Sequence, residues 1–206
     1  MLVLLDNGHN GVVKGVSKTP HRRSPLFPDG KQLFEGELNR AIVNGIMQEL
    51  TFMQIPYYNI CPELYNTSIN ERVQRANLNN ESNCFLVSVH SNYFNDPNVG
   101  GSEFWCYEHS VLGPQIATIF AEEYQNEFPG EHIRKPSPSQ PYWKNNSWGV
   151  LKRTHMPAVL TENFFFSNVR ETRDILLTRE GRNRIIDFHV SAIVRTFVEV
   201  FGITIW

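Results

Sequence analysis

LVLLDNGHN, residues 2 to 10, sets the class of fold for the whole chain. Leu2 to Leu5 form a short, fully apolar run, the signature of a strand buried on both faces of a parallel sheet. The run then stops, and Asp6, Asn7, Gly8 and His9 follow at once. A histidine directly after a buried strand poses the question of what it meets there. The glycine before it removes a side chain beside that position and eases the turn.

The rest of the chain alternates strands and helices. Residues 10 to 34 are loop-like, rich in Gly, Pro, Ser and basic residues. From 35 to 52 the pattern is helical, with Leu38, Ile42, Gly45 or Ile46, and Leu50 on one face. PYYNI (56–60) reads as a second strand. Residues 68 to 80 read as a helix, with Ser68 as N-cap and Glu71 completing a capping box. CFLVSVH (84–90) is a third buried strand, again ending on a histidine, and GSEFWCY (101–107) a fourth. A helix follows over 112–128. Residues 129 to 148 form a Pro-, Ser- and Asn-rich insertion loop carrying Tyr142, Trp143 and Trp148. PAVLTE (157–162) is a strand ending on a carboxylate. The last helix spans 179–201, its stripe formed by Ile186, Val190 or His189, Ile193, Phe197 and Val200. ITIW (203–206) reads as an edge strand. This order predicts an α/β fold with a mostly parallel central sheet of about six strands and helices on both faces. One domain is expected over residues 1–206.

Bulk properties exclude several classes of function. Nineteen Lys and Arg against 21 Asp and Glu give a net charge of −2, so no basic surface calls for nucleic acid. No apolar run is long enough to span a membrane. Cys61, Cys84 and Cys106 are odd in number and without a CxxC pair, so a reduced chain with buried thiols is expected. MLVLL lacks the charged start, the longer apolar region and the cleavage site of an export signal, which predicts cytoplasmic synthesis. A monomer is the favoured state.

In parallel α/β sheets, ligands bind at the carboxyl ends of the strands. Three predicted strands end there on reactive groups: His9, His90 and Glu162. Two histidines and a carboxylate make a common catalytic zinc set, with water in the fourth position. Glu35 and Glu37, at the start of the first long helix, are the candidates for that carboxylate. Glu35 is the better placed, because it precedes the inward stripe of Leu38, Ile42 and Ile46. Glu37 falls toward the outer face with Ala41, Asn44 and Gln48.

LDNGHN, FEGELNR, VSVHSN and AVLTENFFFSN, in that order and spacing, resemble the zinc-dependent N-acetylmuramoyl-L-alanine amidases of the amidase-3 type. That family includes bacterial cell-wall hydrolases and phage endolysins, and the loop TPHRRSP after His9 looks like its prophage-type members. The resemblance covers Leu5 to Asn168. It implies one Zn2+ per chain held by His9, Glu35 and His90, with Glu162 as the catalytic carboxylate. It implies peptidoglycan as substrate, cut at the amide between the lactyl group of N-acetylmuramic acid and L-alanine, with action on the wall after release. The chain departs from the family at Phe164, where glycine is frequent.

The chemistry follows from that set. Zinc lowers the pKa of its water to about 7 and polarises the scissile carbonyl. Glu162 suits the general base, and burial beside Phe165 would raise its pKa. Asp6 or Asn7 is expected to orient a histidine ring. His189 reads as a satisfied core residue. His21, His109, His132 and His155 read as surface or loop residues. Asn92 and Asn168 read as turn formers. Tyr142, Trp143 and Trp148 either stack on a sugar ring or pack as a satellite cluster. Two other functions compete: a zinc carboxypeptidase using Lys152 or Arg153 to hold a terminal carboxylate, and a non-catalytic peptidoglycan-binding protein.

Overall fold

The computed structural model describes every residue except Asn10, Lys14, Gly15, Lys18, Pro20, Pro138, Gln140 and Trp206, and omits the side chains of Val13 and Ser17. The first strand, β1, runs Leu2–Asn7, followed by a two-stranded ribbon of β2 (Val12–Val13) and β3 (Val16–Ser17). Helix α1 spans Glu35–Phe52, β4 Tyr57–Asn59, α2 Ile69–Asn77, β5 Cys84–Asn92 and β6 Glu103–Cys106. Helix α3 spans Gly113–Glu127, β7 Trp143–Asn145, α4 Gly149–Lys152 and β8 Ala158–Phe165. A short helix α5 (Val169–Glu171) leads through a π turn to α6 (Arg179–Arg195), and a second π turn closes it.

The main sheet has six strands in the order β4-β1-β5-β8-β6-β7. The first four are parallel, and β6 returns antiparallel to β8 with β7 parallel to β6. The mostly parallel α/β fold expected from the sequence is therefore present. The sixth strand is not ITIW: residues 203–205 form no strand, and Trp206 lies outside the described residues. It comes instead from the aromatic part of the insertion loop, where Trp143 to Asn145 pair with Phe104 to Cys106. Residues 10–34 likewise contain the small β2–β3 ribbon, too short to show a period-2 signal.

Alternation along the strands explains where everything else sits. Val3 and Leu5, Phe85, Val87 and Val89, and Phe104 and Cys106 join the larger apolar core under α1, α3 and α6. Leu4, Cys84, Leu86, Ala158 and Leu160 face the other way, onto a smaller core with Ala76 of α2 and Val150 and Leu151 of α4. On this second face the same period brings forward Asp6, Ser88, His90, Glu103 and Glu162. The helices there have only nine and four residues. They leave its carboxyl edge as an open cleft.

The helix boundaries follow local chemistry. Ser68 caps α2 by accepting from the Glu71 N–H (3.2 Å), while the Glu71 carboxylate turns to Arg75 rather than back to Ser68. The inward stripe of α6 is displaced from the expected one, with Ile185, Phe188, His189, Ala192 and Ile193 buried and Ile186 and Val190 only half-buried. That helix packs against both α1 and α3, so its buried face is wider than a single stripe. All three cysteines are free and buried, and burial pushes their thiols up. Among the described residues, no helix is long and apolar enough to cross a membrane.

Candidate metal centre and cleft

His9 lies two residues beyond the end of β1, and its backbone adopts the left-handed conformation at φ 64°. The strained residue of this turn is thus the histidine itself, not Gly8. Gly8 serves by close approach: a Cβ there would overlap the imidazole of His90. Its N–H donates to Val89 O (2.9 Å), and its carbonyl accepts from the Asn39 amide (3.0 Å). Behind the turn, Asp6 is buried and takes the Arg72 guanidinium, the Ser88 hydroxyl (2.6 Å) and the Cys61 thiol (3.0 Å). Arg72 also donates to the carbonyls of Asn7 (3.0 Å) and His9 (3.4 Å). Asp6 was expected to orient a histidine ring; it acts instead on the backbone that carries His9, through Arg72. The Asn7 side chain accepts from Asn59 (3.3 Å), away from the rings.

Glu35 is the first residue of α1 and is 1% exposed. Its Oε1 lies 3.3 Å from His9 Nε2 and 3.3 Å from His90 Nδ1. The two imidazoles stand perpendicular with centroids 5.0 Å apart, so their nitrogens converge on that carboxylate. The ligand atoms of His9, Glu35 and His90 all lie within 4.8 Å of one another. Glu37 is exposed, and its carboxylate accepts from the Val12 N–H, fastening the ribbon rather than joining the cluster. Burial by itself would raise the Glu35 pKa, but hydrogen bonds and charge from the two histidines pull it down to about 2. Desolvation lowers His9. Among the described residues, the buried Glu35 Oε2 has no hydrogen-bond partner, although Arg22 stands 3.9 Å away. A buried carboxylate oxygen left open beside two imidazoles fits a divalent cation, and the His-His-Glu donor set fits zinc.

Glu162 is in register with His90 on the neighbouring strand. It does not end β8, which continues through Asn163, Phe164 and Phe165. The register with β5 shifts just beyond it, and Phe164 adopts φ 61° in this bulge. Ser91 secures the bulge by donating to Asn163 O (2.9 Å), and Asn163 donates to His90 O (2.8 Å). The bulge turns Phe165 into the cleft beside Glu162. Burial first, then the carboxylates of Glu35 and Glu103, push the Glu162 pKa up to about 8, against the opposing pull of His90 and Arg22.

These groups line a cleft of about 690 Å³ with Arg22, Tyr93, Phe94, Trp105, Arg134, Lys144 and Trp148. Of the three aromatic loop residues, only Trp148 lines it, with its ring 4.9 Å from Trp105 and 39% exposed. Trp143 and Tyr142 pack against the larger core instead. Asn92 lines the cleft and donates to Glu103 (3.2 Å), whereas Asn168 caps α5 as a turn former. His189 is fully buried between Thr161 and the Ile185 carbonyl. Lys152 and Arg153 are exposed and outside this lining. Sequence reasoning missed Asn39, Arg72, Glu103, Arg134 and Lys144. Asn39 carried a usable signal, lying one helical turn beyond Glu35; the others meet the site only through tertiary contacts.

The sequence matches the N-acetylmuramoyl-L-alanine amidase family, Amidase_3, over residues 3–195. No curated protein matches it by sequence. Its fold is similar to an N-acetylmuramoyl-L-alanine amidase from Clostridium difficile 630, at TM-score 0.76 and 20% identity over 95% of this chain and 96% of that one. The catalytic domain of CwlV, an amidase of the same name from Bacillus (Paenibacillus) polymyxa var. colistinus, aligns at TM-score 0.75 and 20% identity, covering 98% and 99%. The catalytic domain of the CD27L endolysin targeting Clostridia difficile aligns at TM-score 0.66 and 20% identity, covering 92% and 96%.

Proposed function

Because the chain belongs to the N-acetylmuramoyl-L-alanine amidase family, we propose that it is a zinc-dependent hydrolase of peptidoglycan. Its target is the amide between N-acetylmuramic acid and L-alanine. The observation that carries the metal is the convergence of His9 Nε2 and His90 Nδ1 on the buried Glu35 carboxylate, with the ligand atoms of all three within 4.8 Å of one another. Those three residues would hold the ion. Zinc, when bound, supplies a Lewis acid that polarises the scissile carbonyl.

The protein's own groups do the rest. Glu162, beside His90 but outside the cluster of three, takes a proton from the attacking water and delivers it to the departing L-alanine nitrogen. In the metal-free site, desolvation and the nearby carboxylates of Glu35 and Glu103 raise the Glu162 pKa, which favours its holding the proton it later delivers. Phe165 and Leu160 line the same cleft as that carboxylate. A role in wall lysis is supported by the overall likeness to an endolysin catalytic domain.

The deciding experiment is turnover of purified peptidoglycan with products identified by mass spectrometry. Free stem peptides that vanish on chelation and return with zinc are the expected result. Single amino acids released from peptide ends would replace this reading with a carboxypeptidase, and wall binding without product would replace it with a binding protein. Glu162→Gln is expected to lower turnover by at least about a hundredfold while leaving zinc bound, the loss typical of a missing general base. Retained turnover would move the proton transfer to another group.

A further inference from the structure

Glu103 opens β6 directly across from Glu162 in the antiparallel register, on the cleft face of the sheet. It is 5% exposed, and both of its oxygens are fully used. Arg134 Nε (3.0 Å) and Lys144 Nζ (2.8 Å) donate to Oε1, while Trp105 Nε1 (3.1 Å) and Asn92 Nδ2 (3.2 Å) donate to Oε2. Two cations share the one carboxylate they touch, so neither has a counter-charge in contact to itself. The Lys144 ammonium is partly accounted for, standing 5.0 Å over the Trp105 ring. Arg134 is not. Its guanidinium uses only Nε toward Glu103 and leans on the Phe165 ring at 5.4 Å, and no protein acceptor among the described residues takes its two Nη groups. Its side chain is 34% exposed and lines the cleft.

A guanidinium that spends its Nε on Glu103, lines the cleft and has no protein acceptor for its Nη groups among the described residues can offer the fork that grips a carboxylate. Its place along the sheet edge identifies the part of the substrate it meets. The order there is β1, β5, β8, β6, carrying His9, His90, Glu162 and Glu103 in turn. The group that leaves must lie within reach of Glu162 to receive its proton, and the peptide extends from that nitrogen. The next wall beyond Glu162, away from the histidines, is the one formed by Glu103, Arg134 and Lys144.

We propose that Arg134, positioned by Glu103 and assisted by Lys144, forms a subsite for a carboxylate of the stem peptide just beyond L-alanine, making this chain selective for wall whose peptide carries a free carboxyl there. This inference rests on the amidase reading above and adds its specificity. The bland alternative is an ion-pair cluster that only joins β6 to the 134–144 segment.

The test uses two substrates that differ at one group, N-acetylmuramoyl-L-alanyl-D-γ-glutamyl-L-lysine and the same compound with the glutamate α-carboxyl converted to its carboxamide. The zinc-loaded enzyme is expected to favour the free carboxylate by about 10- to 100-fold in kcat/KM, mostly through KM, as for a charged hydrogen-bonded pair. Arg134→Gln should bring the ratio close to 1. Arg134→Lys keeps the pairing with Glu103 but lacks the fork, and should give an intermediate ratio with the unfolding midpoint of the parent. Equal use of both substrates by the parent enzyme, or a preference that survives Arg134→Gln, overturns the subsite. Calorimetric binding of both ligands to Glu162→Gln separates the two proposals. Tighter binding of the carboxylate without turnover in the parent would keep the subsite and discard the amidase. Turnover without discrimination would do the reverse, and neither turnover nor discrimination would discard both.

Discussion

Gly8 shows how a single missing side chain shapes the candidate metal site. The turn after β1 brings the backbone against the His90 ring, and no other residue type leaves that ring its place. Gly8→Ala is therefore expected to displace His90 and weaken zinc affinity by roughly 10- to 100-fold, the range for groups that support a metal ligand. Its thermal unfolding in chelator should stay close to that of the parent. Competition titration against a zinc chelator measures the affinity, and an unchanged value would mean the imidazole relaxes freely. His189 is a residue-scale case of the opposite kind, a histidine that serves the core. Burial holds its pKa down to about 4, only partly opposed by its bond to the Ile185 carbonyl. An unfolded histidine titrates near 6.5, so the unfolded chain binds the proton more readily. The neutral ring's contribution to stability is thus present above about pH 6.5 and is lost as pH falls toward 4. Urea midpoints of the metal-free protein should drop over that window, and His189→Gln should flatten the drop. An identical slope in both proteins would place the titration elsewhere.

At the scale of the element, β8 depends on its bulge. Phe164 occupies a left-handed conformation that favours glycine, yet its ring is fully buried against Tyr124 and Phe128. Packing outweighs strain: losing a buried phenylalanine costs roughly 3–5 kcal/mol, whereas a left-handed residue costs roughly 1–2 kcal/mol. This accounts for a phenylalanine where the family frequently has glycine. Both Phe164→Ala and Phe164→Gly should destabilise the fold by about 3 kcal/mol or more. The informative comparison is between them. In an ordinary strand glycine is the worse residue, but here Phe164→Gly should be the more stable by about 1 kcal/mol. Urea denaturation of the pair decides it, and alanine proving the more stable would show that the bulge rearranges. α1 was the most legible element, since its bounds and its stripe of Leu38, Ile42, Ile46 and Leu50 match the expected helix. β7 was the least legible, because three residues at a sheet edge carry no periodicity of their own.

For the whole molecule, the parallel strands deliver His9, His90 and Glu162 to one edge, and α1 delivers Glu35 to the same place. That much was determined by the sequence: buried runs of one hydropathy pattern must become neighbouring strands, and groups at their ends must then share an edge. The residues proposed as metal ligands and general base could be picked out because each sits in or beside such an element. Only the tertiary structure decided the rest. It separated Glu35 from Glu37, two residues apart on one helix, by turning one inward and spending the other on Val12. It made Arg72 the partner of Asp6, and it set Arg134 and Lys144 from the insertion on Glu103. The physical reason is reach. Local pattern fixes which way a strand or helix residue points. It does not fix which distant group a long side chain meets, because that partner exists only once the sheet has brought remote residues together.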